Sequence, residues 1–333
     1  MKDLLCIDIL IRVPLNKFFT YKSNIKTKIG SVVKIPFGNN NEIVKGIVIS
    51  KPYNKKSNFQ IKEIISVESY ESILSDPQLE LLNWSSSYYL VGLPKIFNSI
   101  FSKNILDINL DEQSHKKINQ KNKNYKTNLV VDHSKNIIPN IIDEIKSNTN
   151  YKQILILCPN SYKTQSTFNI LSKKCKDIYI YDSKTIPSDK IKIWKSILKN
   201  EKIIILGSKS AVFLPFIDLK KIYVIYEHNY LYKETDKVLR FNARDCAVVL
   251  SNIHMCDIDL ISDSPSLESM YNTKKNKFKF YDKSKKLKLK TDLKRISIFN
   301  RLENKLKNNN NSYYMARKYK EGRKNNKGRV CYY

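Results

Sequence analysis

Between residues 128 and 261 short apolar runs alternate with longer segments of helical period, and no other feature restricts the fold as much. Ile203–Leu206 and Ile222–Ile225 are each bounded by polar or turn residues. They read as strands buried on both faces, as in a parallel sheet. Further strands are expected at Leu129–Val131, Gln153–Cys158, Ile178–Tyr181 and Ile258–Ile261. The helical period falls at Ile137–Ile145, Gln165–Lys174, Ser188–Lys199 and Asn242–Ile253. Strands and helices in alternation, joined by right-handed crossovers, give a doubly wound α/β sheet. Ligands of such sheets sit outside the carboxyl ends of the strands. Ile225-Tyr226-Glu227-His228-Asn229 therefore lies where any chemistry would be placed.

The first seventy residues have a different rhythm. Leu4–Val13, Ser31–Ile35, Ile43–Ser50 and Ile61–Val67 read as strands separated by turn residues. A helix follows, with Ser75 or Asp76 as its cap, Pro77 in its first turn and Leu79, Leu82, Ser86 and Tyr89 on one face. Trp84, Tyr88 and Tyr89 are read as core aromatics. Residues 107–127 are polar, without an apolar period, and read as a linker. From Thr273 onward the chain is rich in Lys and Asn and reads as a basic tail with interleaved tyrosines.

The 333 residues carry 60 Lys and Arg against 31 acids, a net charge of +29. Such a surface repels itself unless a polyanion covers part of it. Nucleic acid is the first partner this implies and an acidic membrane surface the second; codon bias toward Lys, Asn and Ile is the alternative source of the charge. No apolar run is long enough for a membrane span, so a cytoplasmic protein is expected. The 6 cysteines include no C-x-x-C pair, which supports neither a zinc site nor a disulfide framework.

Several blocks, in one order, resemble the PriA family of replication restart helicases. In the first part these are Val13-Pro14-Leu15 with Phe19-Thr20-Tyr21, then Gly30-Ser31-Val32-Val33-Lys34-Ile35-Pro36-Phe37-Gly38, then Gly46-Ile47-Val48. Later come Gly207-Ser208-Lys209-Ser210-Ala211-Val212-Phe213-Leu214-Pro215-Phe216, then Glu227-His228, Arg240-Phe241-Asn242-Ala243-Arg244-Asp245, and Ser264-Pro265-Ser266-Leu267-Glu268-Ser269. The resemblance implies a β-rich domain over 1–105 that binds the 3′ end of a DNA strand, a linker over 106–127, one RecA-like helicase lobe over 128–272 and a basic tail over 273–333. It implies branched or single-stranded DNA as partner, together with primosome and replication proteins. Lys17, Phe19, Tyr21, Lys22, Lys34 and Lys45 are the expected DNA contacts. Thr20 stands where some members carry an Asp, which makes phosphate binding a firmer expectation than recognition of the 3′ end.

The same resemblance exposes what a nucleotide-driven motor would lack. A phosphate loop needs glycines whose backbone N–H groups wrap the phosphates; Val130–Asn136 contains none, and Lys135 alone stands where the loop lysine would be. The family's D-E-E-H becomes Ile225-Tyr226-Glu227-His228. Ile and Tyr cannot hold Mg²⁺ or take a proton from water near neutral pH. If the strand runs on, Glu227 faces away from the position Tyr226 occupies, and His228 has no partner as a base. No second lobe fits in the residues that follow. The expectation is a reduced, degenerate form: no ATP, Mg²⁺ or zinc, DNA binding without a motor, and Lys135, Glu227 and His228 as remnants. A helicase completed by another chain, and a non-catalytic interaction protein, are the alternatives.

Overall fold

The computed structural model describes residues 4–108, 110, 124–133, 136–148, 150–235 and 238–283. Lys135, the centre of the expected linker and everything after residue 283 lie outside them.

The first sheet is antiparallel. Its strands are β1 (Leu4–Ile11), β2 (Phe19–Lys22), β3 (Val32–Phe37), β4 (Glu42–Val48), β5 (Tyr53–Lys55) and β6 (Ser66–Ser69). The order is β2-β1-β4-β3-β6, with β5 also paired to β1. One face builds a small core from Ile7, Ile9, Ile11, Tyr21, Val33, Ile35 and Val48. The other sends Leu10, Val32 and Ile47 into the main core. Period-2 alternation allows both, because successive residues on a strand point to opposite faces.

Helix α1 (Asp76–Tyr89) begins on Ser75, whose hydroxyl accepts from the Gln78 amide, and has Pro77 in its first turn. It buries Gln78, Leu81, Leu82 and Ser85 rather than the stripe expected through Leu79, Ser86 and Tyr89. Its end at Leu90 is left-handed (φ 56°), and Gly92 then caps α2 (Leu93–Ile100). Ile105, Leu106, Ile108 and Leu110 are buried in the main core, so the expected linker begins with packed chain.

The second sheet is parallel and seven-stranded. In chain order its elements are β7 (Thr127–Val131), α3 (Ile137–Ser147), β8 (Gln153–Leu157), α4 (Ser161–Leu171), β9 (Ile178–Tyr181), α5 (Pro187–Leu198), β10 (Ile203–Gly207), β11 (Leu219–Ile225), α6 (Ala243–His254), β12 (Asp257–Ser262), α7 (Leu267–Lys274) and β13 (Lys279–Asp282). Across the sheet the order is β13-β7-β12-β11-β8-β10-β9. Strands β8 and β10 are buried at every residue, as their unbroken apolar runs require. Gly207 ends β10 because a Cβ there would lie 2.2 Å from the Ala211 Cβ.

Two expectations are corrected here. Ile258–Ile261 is not the last strand, since α7 and β13 follow it and β13 pairs with β7 along Lys279–Asp282. Chain from Thr273 to Lys283, expected as tail, thus completes α7 and adds an edge strand to the sheet. Its basic, mostly exposed sequence hides an edge strand, and Phe278 just before that strand packs against the main core.

The two sheets share one core. The Trp194 indole on α5 donates to the Ile73 carbonyl at 2.7 Å, and its ring meets Phe101 edge-on at 5.4 Å. The Gln78 amide on α1 donates to the Phe213 carbonyl at 2.6 Å, and the Tyr89 hydroxyl accepts from the Asn242 amide at 3.2 Å.

Candidate nucleic-acid interface

The expected DNA contacts divide by strand face. In the β1–β2 ladder Tyr21 lies opposite Ile7, Thr20 opposite Asp8 and Phe19 opposite Ile9. Paired residues share a face, so Phe19 and Tyr21 point into the small core. Tyr21 is buried and its hydroxyl donates to the Pro36 carbonyl at 3.0 Å. Phe19 meets Phe37 edge-on at 5.0 Å, while Lys17 reaches over its ring at 5.2 Å. Tyr21 is therefore a core residue here, not a surface contact. Three of the lysines already have carboxylate partners. Lys22 pairs with Glu63 at 2.6 Å, Lys34 with Glu68 at 2.9 Å and Lys45 with Asp107 at 2.8 Å. Exposed pairs of this kind contribute little and exchange partners readily.

The opposite face carries a cluster that the motif does not contain. The Thr20 hydroxyl donates to Asp8 Oδ1 at 2.8 Å, and the Tyr53 hydroxyl donates to the same oxygen at 2.9 Å. Lys55 Nζ donates to Thr20 Oγ1 at 3.3 Å. Three strands thus bring one carboxylate, one hydroxyl, one phenol and one ammonium together: Asp8 from β1, Thr20 from β2, Tyr53 and Lys55 from β5. Burial pushes the Tyr53 phenol up, which keeps it a donor. Both bonds fall on Oδ1, and Oδ2 of the half-buried Asp8 has no hydrogen-bond partner among the described residues. The one sequence cue was a single acid inside an otherwise apolar strand.

At the carboxyl edge of the parallel sheet, β11 ends at Ile225 and Tyr226 turns left-handed, φ 56°. The strand does not run on, so the argument from opposite faces does not apply. The turn instead drives Glu227 inward, to 1% exposure. Its Oε1 accepts from the Ser266 amide at 2.7 Å. Its Oε2 accepts from the hydroxyls of Ser266 at 2.8 Å and Ser269 at 2.9 Å, and from Arg244 Nη1 at 3.3 Å. This carboxylate ties together the end of β11, the start of α6 and the start of α7. Three of these four donors fall on Oε2 and one on Oε1, and together they hold the buried carboxylate in place. His228 does have partners: Nδ1 shares a hydrogen bond with Ser262 Oγ, and Nε2 lies 3.8 Å from Asp263.

Beside this turn is a cavity of about 230 Å³ lined by Ile137, Ile138, Ile170, Ile225 and Tyr226, with Lys163, Ser166 and Thr167. Lys163 Nζ sits over the Tyr226 ring at 5.1 Å. Among the described residues no group of His, Cys, Asp and Glu is arranged to hold a metal ion. Nor is any helix among them long and apolar enough to cross a membrane.

An antiparallel sheet with a polar surface cluster, joined to a doubly wound parallel sheet, defines a binding module fused to an α/β lobe. Residues 8–102 match the PriA 3'DNA-binding domain (3'BD) family. The replication restart protein PriA of Rickettsia prowazekii is 27% identical over 325 residues, covering 90% of this chain and 49% of that protein. PriA of Borreliella burgdorferi is 27% identical over 311 residues, covering 82% and 45%. The chain is similar to these PriA proteins over most of its length. It spans about half the length of these curated relatives. Among solved structures, a DEAD box protein from Methanococcus jannaschii aligns at TM-score 0.34 and 12% identity over 63% of this chain and 54% of its own. A likeness that weak adds nothing to the assignment.

Proposed function

We propose that the chain binds the 3′ end of a DNA strand at forks through its antiparallel sheet, and that it neither hydrolyses ATP nor unwinds strands by itself. The carrying observation is the Asp8–Thr20–Tyr53–Lys55 cluster within the stretch that matches the 3'DNA-binding domain. A terminal 3′ hydroxyl needs an acceptor, and Asp8 Oδ2 supplies one. The last phosphate needs a cation, and the exposed Lys55 supplies it. The carboxylate that some members carry between their aromatics is here provided one strand away, on the residue that faces Thr20 in the ladder.

The reading without a motor is supported by Ile225 and Tyr226 at the metal and base positions and by Glu227, which is buried and engaged by Ser266, Ser269 and Arg244. In this role the chain acts in the cytoplasm, in replication restart, alongside primosome and replication proteins. The test measures fork binding by fluorescence anisotropy, with and without ATP, beside phosphate release. Fork binding is expected to be indifferent to ATP, with phosphate release at the level of a protein-free control. Sustained DNA-stimulated release overturns the reading without a motor; an equally weak affinity for forked and blunt linear DNA overturns the binding role.

A further inference from the structure

Opposite the carboxyl edge, at the amino ends of the strands, the parallel sheet carries a cationic face that no motif points to. In a doubly wound sheet the helices run back against the strands, so helix C-termini and strand starts share one end. Here that end holds Lys146 in the last turn of α3 and Lys152 before β8, Lys174 and Lys176 between α4 and β9, and Lys199 and Lys202 between α5 and β10. Strands β9, β10 and β8 are neighbours in that order. Their first bonds join these loops: the Ile203 amide donates to the Lys152 carbonyl at 2.8 Å, and the Ile204 amide to the Asp177 carbonyl at 2.9 Å. Adjacent strands lie about 4.8 Å apart, so Lys152, Lys202 and Lys176 stand side by side. On the helix side, Ile145 near the end of α3 and Cys175 just after α4 pack against the same core cluster.

All six lysines are exposed. Among the described residues none of them forms an ion pair, although Asp177 and Glu201 lie in the same loops. Lysines at helix C-termini also serve the helix dipole, which accounts for Lys146, Lys174 and Lys199. It does not account for Lys152, Lys176 and Lys202, which precede strands. No large apolar side chain is exposed in the three loops. A peptide partner relies on buried anchors, and an interfacial membrane site relies on inserted apolar groups. A row of unpaired point charges without anchors fits a uniform phosphate track.

We propose that this lysine face binds the phosphodiester backbone of duplex DNA, as a second contact separate from the antiparallel sheet. The two surfaces together would let one chain hold a strand end and a duplex arm.

The test compares K174Q/K176Q/K199Q/K202Q with K184Q/K274Q/K275Q/K277Q, a control of equal net charge. Duplex affinity is measured against salt concentration. Each lost phosphate contact lowers the slope of log K against log salt by about 0.9, so the first variant is expected to lose about 2–4 and the control less than about 1. Preference between 3′ hydroxyl and 3′ phosphate ends should survive in the first variant, which separates this surface from the end-binding cluster. An unchanged slope, or an equal loss in the control, overturns the proposal. A loss confined to vesicles containing phosphatidylserine, with duplex binding intact, overturns it in favour of a membrane surface.

Discussion

A strand that ends in a 3′ phosphate should bind this protein at least about tenfold, and up to roughly a hundredfold, more weakly than the same strand ending in a 3′ hydroxyl. Asp8 Oδ2 is the acceptor left over once Thr20 and Tyr53 have both donated to Oδ1. A terminal hydroxyl donates to it. A terminal phosphate instead brings its own negative charge against the carboxylate, and like charges in contact cost several kcal/mol. Asp8→Asn keeps an oxygen for Thr20 and Tyr53 but removes the charge, so the ratio between the two ends should fall by about tenfold toward unity. Competition anisotropy with paired oligonucleotides measures both. Equal affinity of the unaltered protein for the two ends would remove Asp8 from the site.

Glu227→Ala should destabilise the protein by about 2–4 kcal/mol, because it removes the buried acceptor that Arg244, Ser266 and Ser269 share. Arg244 keeps Asp245 and the Ser266 hydroxyl at 2.8 Å and Glu268 at 3.7 Å but loses its most buried partner, and the hydroxyls of Ser266 and Ser269 lose their shared acceptor. For a chain of this size the melting temperature should drop by roughly 10 °C, read by circular dichroism. A solvent-facing remnant of a catalytic pair would behave otherwise, since surface substitutions usually stay within about 0.5 kcal/mol. A shift that small would show that the latch joining β11, α6 and α7 contributes nothing.

The parallel sheet could be read from the chain where its strands are buried on both faces. Gln153–Leu157 and Ile203–Gly207 are apolar almost throughout, and burial at every residue is what that pattern means. Short or exposed strands gave no such sign. Phe19–Lys22 and Tyr53–Lys55 are short and polar in part, and Lys279–Asp282 is exposed at all its residues. These strands exist because a neighbour supplies the ladder, which no local pattern encodes. The candidate end site depended on two of them, so Asp8, Tyr53 and Lys55 went unnoticed while Phe19 and Tyr21, on the other face, stood out. The motif blocks located Glu227 and His228, but not the left-handed turn at Tyr226 that buries the first. Tyrosine is a poor residue for that geometry; its ring packs against the core cluster that includes Ile225 and lies under Lys163.

Trp194 and Gln78 stitch helices of one sheet to carbonyls of the other, and this has a calorimetric consequence. Neither half can open without baring the hydrophobic seam it shares with its neighbour. Heating the intact chain should therefore give a single endotherm, and two resolved peaks would argue against it. Severing the polypeptide near Phe101 would leave that seam wet on both fragments, so neither piece alone would report how the whole grips its DNA.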